Sequence, residues 1–193
     1  MAPKRAFIPS IDRRFGYNYA VPKHKQRSLL HYSTQKKFSH LQAIIPTGLD
    51  SLRLEVLRHS LVITANRAEG AHGGHLHGLN WKVDFGRGSH LNRTCRVRHD
   101  HRGHRHWATI EATLEALNAI KEICAVNRMV REVVIVVRSE LLVKILVWGK
   151  SAREELTTAR CPDNMQREYR KLETLINYHE THGRTVKFWL KKD

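Results

Sequence analysis

The sequence predicts an α+β fold with a mixed α/β sheet, in which three antiparallel strands are followed by alternating helices and strands. Three observations carry this. LNWKVDFG, residues 79–86, alternates apolar and polar side chains, the period of a half-buried strand. REVVIVVRS, residues 131–139, holds a run of five β-branched residues, which reads as a strand buried on both faces. Met165, Tyr169, Leu172, Ile176 and His179 recur at helical spacing, so a long amphipathic helix follows that strand.

Each element can be justified in order. LDSLRLEVLRHS, from residue 49, reads as a short amphipathic helix leading into an apolar strand, HSLVITAN at 59–66. A glycine- and histidine-rich loop, EGAHGGHLHG, separates it from the second strand, where Leu79, Trp81, Val83 and Phe85 share one side. GRGSHLN is a turn, and NRTCRVRH is a third strand with Cys95 and Val97 alternating with Arg96 and Arg98. The period then changes. Between Trp107 and Cys124, Ala108, Ile110, Ala112, Leu114, Leu117 and Ile120 form a helical stripe. After the β-branched strand a helix is expected over 139–159, broken at Cys161-Pro162, with Asp163 as N-cap of the last helix. Gly183 stops that helix, and RTVKFWL closes the sheet.

Composition narrows the function. The 193 residues carry 34 Lys+Arg against 18 Asp+Glu, for a net charge of +16, so an anionic partner is expected. Hydrophobic residues make up 41%, enough for one core. No stretch is long and apolar enough for a membrane span, and no partner membrane is expected. The N-terminus lacks the pattern of a secretory signal, and Cys95, Cys124 and Cys161 are too scattered for a disulfide framework. Residues 1–48 hold nine Lys and Arg and one acid, Asp12, so they carry half the excess charge. They read as a basic extended N-terminal arm, either packed through Phe7, Ile8, Phe15 and Tyr17 or solvated throughout, and residues 49–193 as the folded domain. An intracellular site is expected, nuclear or cytoplasmic, and the basic, acid-poor start is also compatible with a mitochondrial leader.

Several blocks carry a resemblance. LVITANRAEGAHGG at 61–74, VDFGRGSHLN at 83–92, WATIEATLEAL at 107–117 and VVIVVRSELLV at 133–143 are similar, in order, to blocks of the ribonuclease-H-like proteins common in filamentous fungi. PDNMQREYRKLE and VKFWLKK continue the series. The resemblance covers about 145 residues and implies a ribonuclease-H-like fold, a type-1 ribonuclease H domain and an ancestral endonuclease of RNA–DNA hybrids. It also implies two divalent metals held by carboxylates, because two close Mg²⁺ ions need hard oxygen ligands to neutralise them.

At the positions where that family carries its metal ligands, this chain has Asn66, Thr109 and Arg138, and it ends at Asp193 just after the last strand. An arginine is a permanent cation, and about 4 Å from a metal it costs several kcal/mol per metal charge even at an effective dielectric of ~20. The resemblance therefore implies a pseudoenzyme with a degenerate site, and no cofactor is expected. Were the chain active, Mg²⁺ or Mn²⁺ would be needed, with Glu69, Glu111 and Glu140 as substitute carboxylates. Glu111 lies two residues beyond Thr109, about 200° around the helix, which turns it away from the site.

His72, His75 and His77 in one loop, and His101 and His104 in another, have spacings that could ligate a metal. Their setting among Arg and Gly favours two solvated loops. No motif of nucleophilic catalysis or of a phosphate-cradling loop is present. The basic residues fit binding better: Arg93, Arg96, Arg98, Arg102 and Arg105 cluster around the third strand, and Lys144, Lys150 and Arg153 lie on the expected helix after the β-branched strand. Such residues suit phosphate contacts. The function expected is binding of nucleic acid, an RNA–DNA hybrid or structured RNA, through a basic surface. The alternatives are an active hybrid ribonuclease using rearranged carboxylates and an interaction module docking an acidic protein partner.

Overall fold

The computed structural model describes residues 5–6, 29–46, 52–68, 80–98, 105–148 and 163–191. The elements run β1 (Leu30–Ser33), β2 (Phe38–Pro46), β3 (Leu52–Arg67), β4 (Asn80–Asp84), β5 (Arg93–Arg96), α1 (Arg105–Val126), β6 (Glu132–Val137), α2 (Glu140–Trp148), α3 (Asp163–Thr181) and β7 (Thr185–Leu190). The strands make one mixed sheet. β1 to β5 follow one another in antiparallel order, while β6 pairs parallel with both β3 and β7. The expected fold class, α+β with antiparallel strands followed by alternating helices and strands, is the one observed, with β1 and β2 standing ahead of the three antiparallel strands expected.

β3 is the axis of the sheet. Its first half, Leu52–Leu57, pairs with β2, and its second half pairs with β6 at Ser60–Thr64 and with β4 at Thr64–Arg67. Between the halves the β2–β3 register slips, and side chains stitch the irregularity together. Ser60 Oγ accepts from Leu41 N at 2.7 Å and donates to the Leu57 carbonyl at 2.6 Å, and the buried His40 places Nδ1 2.6 Å from the Ser60 carbonyl oxygen. A strand that changes partner partway leaves backbone groups without a ladder, and these contacts satisfy them.

Alternation sorts the core onto two faces. Leu61, Ile63 and Ala65 of β3, with Val133, Ile135 and Val137 of β6, pack in the main cluster with α1, α2 and α3. Val62, Val134, Val136 and Trp189 belong to a second cluster with Leu29 and Leu41. β6 is therefore buried on both faces, as its β-branched run predicts. α1 is buried around most of its girth in its first turns, because it lies on the sheet and is flanked by α3. The α3 stripe of Met165, Tyr169, Leu172, Ile176 and His179 is buried at every position, and Gly183 with φ +74° ends the helix. No described helix is long and apolar enough to cross a membrane.

Two expectations are corrected. The short helix expected from residue 49 is not formed where the chain is described: from Leu52 onward it is the first half of β3. LRLEVL satisfies both periods, and pairing with β2 selects the strand over the local helical preference. The division at residue 48 also fails to mark an edge of the fold, since it falls between two hydrogen-bonded strands of one sheet. Within the expected arm, residues 30–33 and 38–46 form β1 and β2, and a net-charge count cannot detect their remote ladder partners. Further back, Ala6 bridges to Phe188 in parallel, and the Arg5 guanidinium bonds Glu180 at 2.9 and 3.1 Å. Phe7, Ile8, Phe15 and Tyr17 lie outside the described residues.

Candidate functional site

β3 and β6 end side by side, and their ends carry two of the three positions where the resemblance implies metal ligands. Asn66 Oδ1 accepts a hydrogen bond from the Arg138 backbone N at 2.7 Å, and its Nδ2 donates to the Val136 carbonyl at 3.5 Å. The Asn66 amide thus extends the β3–β6 ladder past its last register pair, Thr64 with Val136. Thr109 is buried on α1, and its carbonyl accepts from the Thr113 hydroxyl at 2.7 Å. Beside them, Ser139 Oγ accepts from Leu142 N at 3.2 Å, capping α2, and lies 3.3 Å from His106 Nδ1.

This donor set does not fit a pair of divalent metals. One position is a cation, one a neutral hydroxyl, and the third an amide whose oxygen is already engaged by a backbone N–H. Among the described residues, the expected substitutes are not grouped. Glu69 lies outside the described residues, and Glu140 is exposed at the start of α2, paired with Lys144 at 3.2 Å. Among the described residues no three His, Cys, Asp or Glu side chains are grouped to hold a metal. His72, His75, His77, His101 and His104 all lie outside the described residues.

Glu111 has a different role. It is buried, and its Oε2 accepts from Trp81 Nε1 at 3.0 Å while Oε1 accepts from Arg98 Nε at 3.2 Å. Arg98 spans two helices, because its Nη2 also reaches Glu168 Oε2 on α3 at 3.3 Å. Glu168 has a side chain exposed by 0%, and Lys171 meets its other oxygen at 2.6 Å. Burial opposes ionisation of Glu168 most strongly, but Lys171 and Arg98 together outweigh it and hold the carboxyl below its usual range. Burial likewise works against the Arg98 charge, and its two carboxylate partners more than compensate, so its pKa is raised. The network ties β4, the segment just after β5, α1 and α3 together with its buried charges paired.

Around this network the surface opens into a cleft of about 680 Å³ between β5, α1 and α3. Trp81, Leu114 and Leu175 supply apolar lining. Arg96 reaches it from β5, and Arg167, Arg170 and Lys171 from α3. Arg167 lies 3.6 Å from Glu168, whereas neither Arg96 nor Arg170 has an ion-pair partner among the described residues. Both are exposed.

Of the eight basic residues expected to contact nucleic acid, Arg96 lines this cleft as a cation with no ion-pair partner among the described residues, and Arg98 lines it as part of the internal network. Arg93 is paired with Glu115, and Lys144 is exposed on α2 beside Glu140. Arg105 opens α1, while Arg102, Lys150 and Arg153 lie outside the described residues. Sequence reasoning missed Arg167, Arg170 and Lys171, although their i, i+3, i+4 spacing is the signature of one helix face. The apolar stripe on the opposite side of α3 drew the reading instead.

No family model matches this chain, and no curated protein does. Among solved structures, the chain is similar to ribonuclease H1 from the halophilic archaeon Halobacterium salinarum NRC-1, with 15% identity and a TM-score of 0.37. The match covers 69% of this chain and 85% of that one, and a likeness this distant carries no argument for a shared activity.

Proposed function

We propose that this chain is a nucleic-acid-binding protein of ribonuclease-H-like descent, holding an RNA–DNA hybrid or structured RNA through its basic surface without two-metal hydrolysis. The observation that carries the reading is the contact between Asn66 and Arg138. Where hydrolysis would need two metal-ligating carboxylates, an amide oxygen accepts a backbone N–H at 2.7 Å and the next strand presents an arginine. The surplus of Lys and Arg over acids, with Arg96 and Arg170 unpaired among the described residues, supports attraction to phosphate.

The test is a labelled RNA–DNA hybrid incubated with the full chain in Mg²⁺ and separately in Mn²⁺. Binding is followed by anisotropy across a salt series and cleavage on a denaturing gel. The expected outcome is an intact hybrid, bound with an affinity that falls as salt rises, log K dropping by roughly 0.9 per phosphate contact for every decade of salt. Metal-dependent cleavage abolished by EDTA would overturn the loss of hydrolysis. Affinity indifferent to salt, or no binding to any nucleic acid, would overturn the binding.

A further inference from the structure

We infer that the cleft between β5, α1 and α3 holds one nucleoside monophosphate unit, with Arg96 and Arg170 on the phosphate and the base against Trp81, Leu114 and Leu175. The inference deepens the nucleic-acid reading and rests on it. It says that the chain takes an unstacked nucleotide, so single strands or frayed ends are preferred to a duplex.

Size is the first argument. A concave space of about 680 Å³ lies within the range of small-ligand sites, and a stacked, paired base cannot enter it. Charge is the second. The acids of the cleft are already answered: Glu111 by Arg98, Glu168 by Arg98 and Lys171, and Glu115 by Arg93. An entering phosphate therefore meets no uncompensated carboxylate among these residues. It meets instead two guanidinium groups from different elements, the planar donors that hold phosphate oxygens in bidentate fashion.

Shape chemistry is the third argument. An apolar wall of Leu114 and Leu175, beside the largely buried Trp81, suits the face of a base, and that kind of contact tolerates any of the four. Asn118 and Thr174 add neutral polar groups at the rim, able to meet a base edge or a ribose hydroxyl. The site is also preformed. Trp81 is held through Nε1 by Glu111 at 3.0 Å, and Glu111 is held in turn by Arg98, so the wall needs no rearrangement before a ligand enters.

The nucleotide could be part of a strand or free, and competition separates the two. The full chain is titrated with a short labelled single strand, then competed with adenosine monophosphate, with the matched duplex and with a polyglutamate peptide. The same series is run on the double variant Arg96→Ala with Arg170→Ala, and on Arg128→Ala, an exposed cation on the loop between α1 and β6. A strand source predicts that single strand competes better than duplex, and that the double variant binds the strand about tenfold more weakly or worse. Under either source the monophosphate should compete and Arg128→Ala should bind as the parent does.

Unchanged strand binding by the double variant would overturn the site and leave the nucleic-acid reading standing. Competition by polyglutamate as strong as that by the single strand would overturn it in favour of an acidic protein partner. Binding of the monophosphate without any strand would keep the site, name a free nucleotide as its source and overturn the reading. Binding of neither would overturn both. Both arginines are exposed, so the double variant should keep the parent's thermal unfolding profile, which circular dichroism checks.

Discussion

His179 lies on the buried stripe of α3, with Nε2 2.8 Å from the Leu117 carbonyl oxygen and Nδ1 without a hydrogen-bond partner among the described residues. Burial lowers its pKa below 6.5, the nearby charges of Arg184, Lys121 and His182 add to that, and the Leu117 bond only partly opposes them. His40, buried in the β2–β3 irregularity, is lowered for the same leading reason. In both cases the fold prefers the neutral ring, so its stability is fully present above the unfolded value near 6.5 and is lost as pH falls through the folded value. Glu168 acts in a lower window, since its folded pKa lies below 4.5. Acid should therefore begin to destabilise the protein at the histidines, before the carboxylates. Unfolding free energies from urea titrations should be lower in the parent at about pH 5.5 than at about pH 7.5, by up to about 1.4 kcal/mol per pH unit and histidine within the window. His179→Gln, which keeps a donor for Leu117, should flatten that dependence; equal slopes in both proteins would remove His179 from the explanation. The burial of His179 was legible from its place in a helical stripe. Its acceptor was not, because Leu117 lies 62 residues away and only the packing of α1 on α3 joins them.

At the scale of elements, the β4–β5 turn locks the first hairpin to the sheet. Asp84 Oδ1 accepts from Gly86 N at 2.9 Å, and Asn92 bonds both Phe85 N and the Gly86 carbonyl. Gly86 has φ +132°, a Cβ there would sit 2.5 Å from the Tyr32 ring, and the Tyr32 hydroxyl donates to the Arg87 carbonyl. Gly86→Ala should cost about 3 kcal/mol or more, since strain and overlap add. Gly88→Ala, at φ +70° with open space around it, should cost about 1 kcal/mol. Denaturant titration of the two variants checks this; equal losses would mean that Tyr32 does not press on Gly86. The turn was readable from GRGSHLN, as were β4, β6, β7 and the two long helices, because each carries its own period or breaker. The first half of β3 was not. Its alternation competes with a helical reading, and what decides between them is β2, whose own sequence is interrupted by the register slip at Ser39 and Leu41.

For the whole molecule, the net charge of +16 leads one to expect an anionic partner but says nothing of where on the surface it would bind. Of the arginines that cluster in the sequence around β5, two are neutralised in space, Arg93 by Glu115 and Arg98 by Glu111 and Glu168. The cations facing the cleft from α3 come from a segment in which acids are interspersed, so a linear count dilutes them. Asn66 and Arg138 could be paired in advance only through the resemblance of their blocks, since 72 residues separate them. That same separation bears on how the chain reaches its fold. β3 makes antiparallel partners of β2 and β4, its near neighbours in sequence, but its parallel partner β6 arrives only after α1 has been traversed, and β7 later still. Closing those long loops costs entropy that the hairpins do not incur, so the meander should form first and act as the template on which the parallel strands assemble. In pulsed hydrogen exchange during refolding, amides of β2 and β3 should gain protection ahead of those of β6 and β7, and the reverse order would contradict this. Assembly would then run outward from β3, and the contact between Asn66 and Arg138 would be among the last to close.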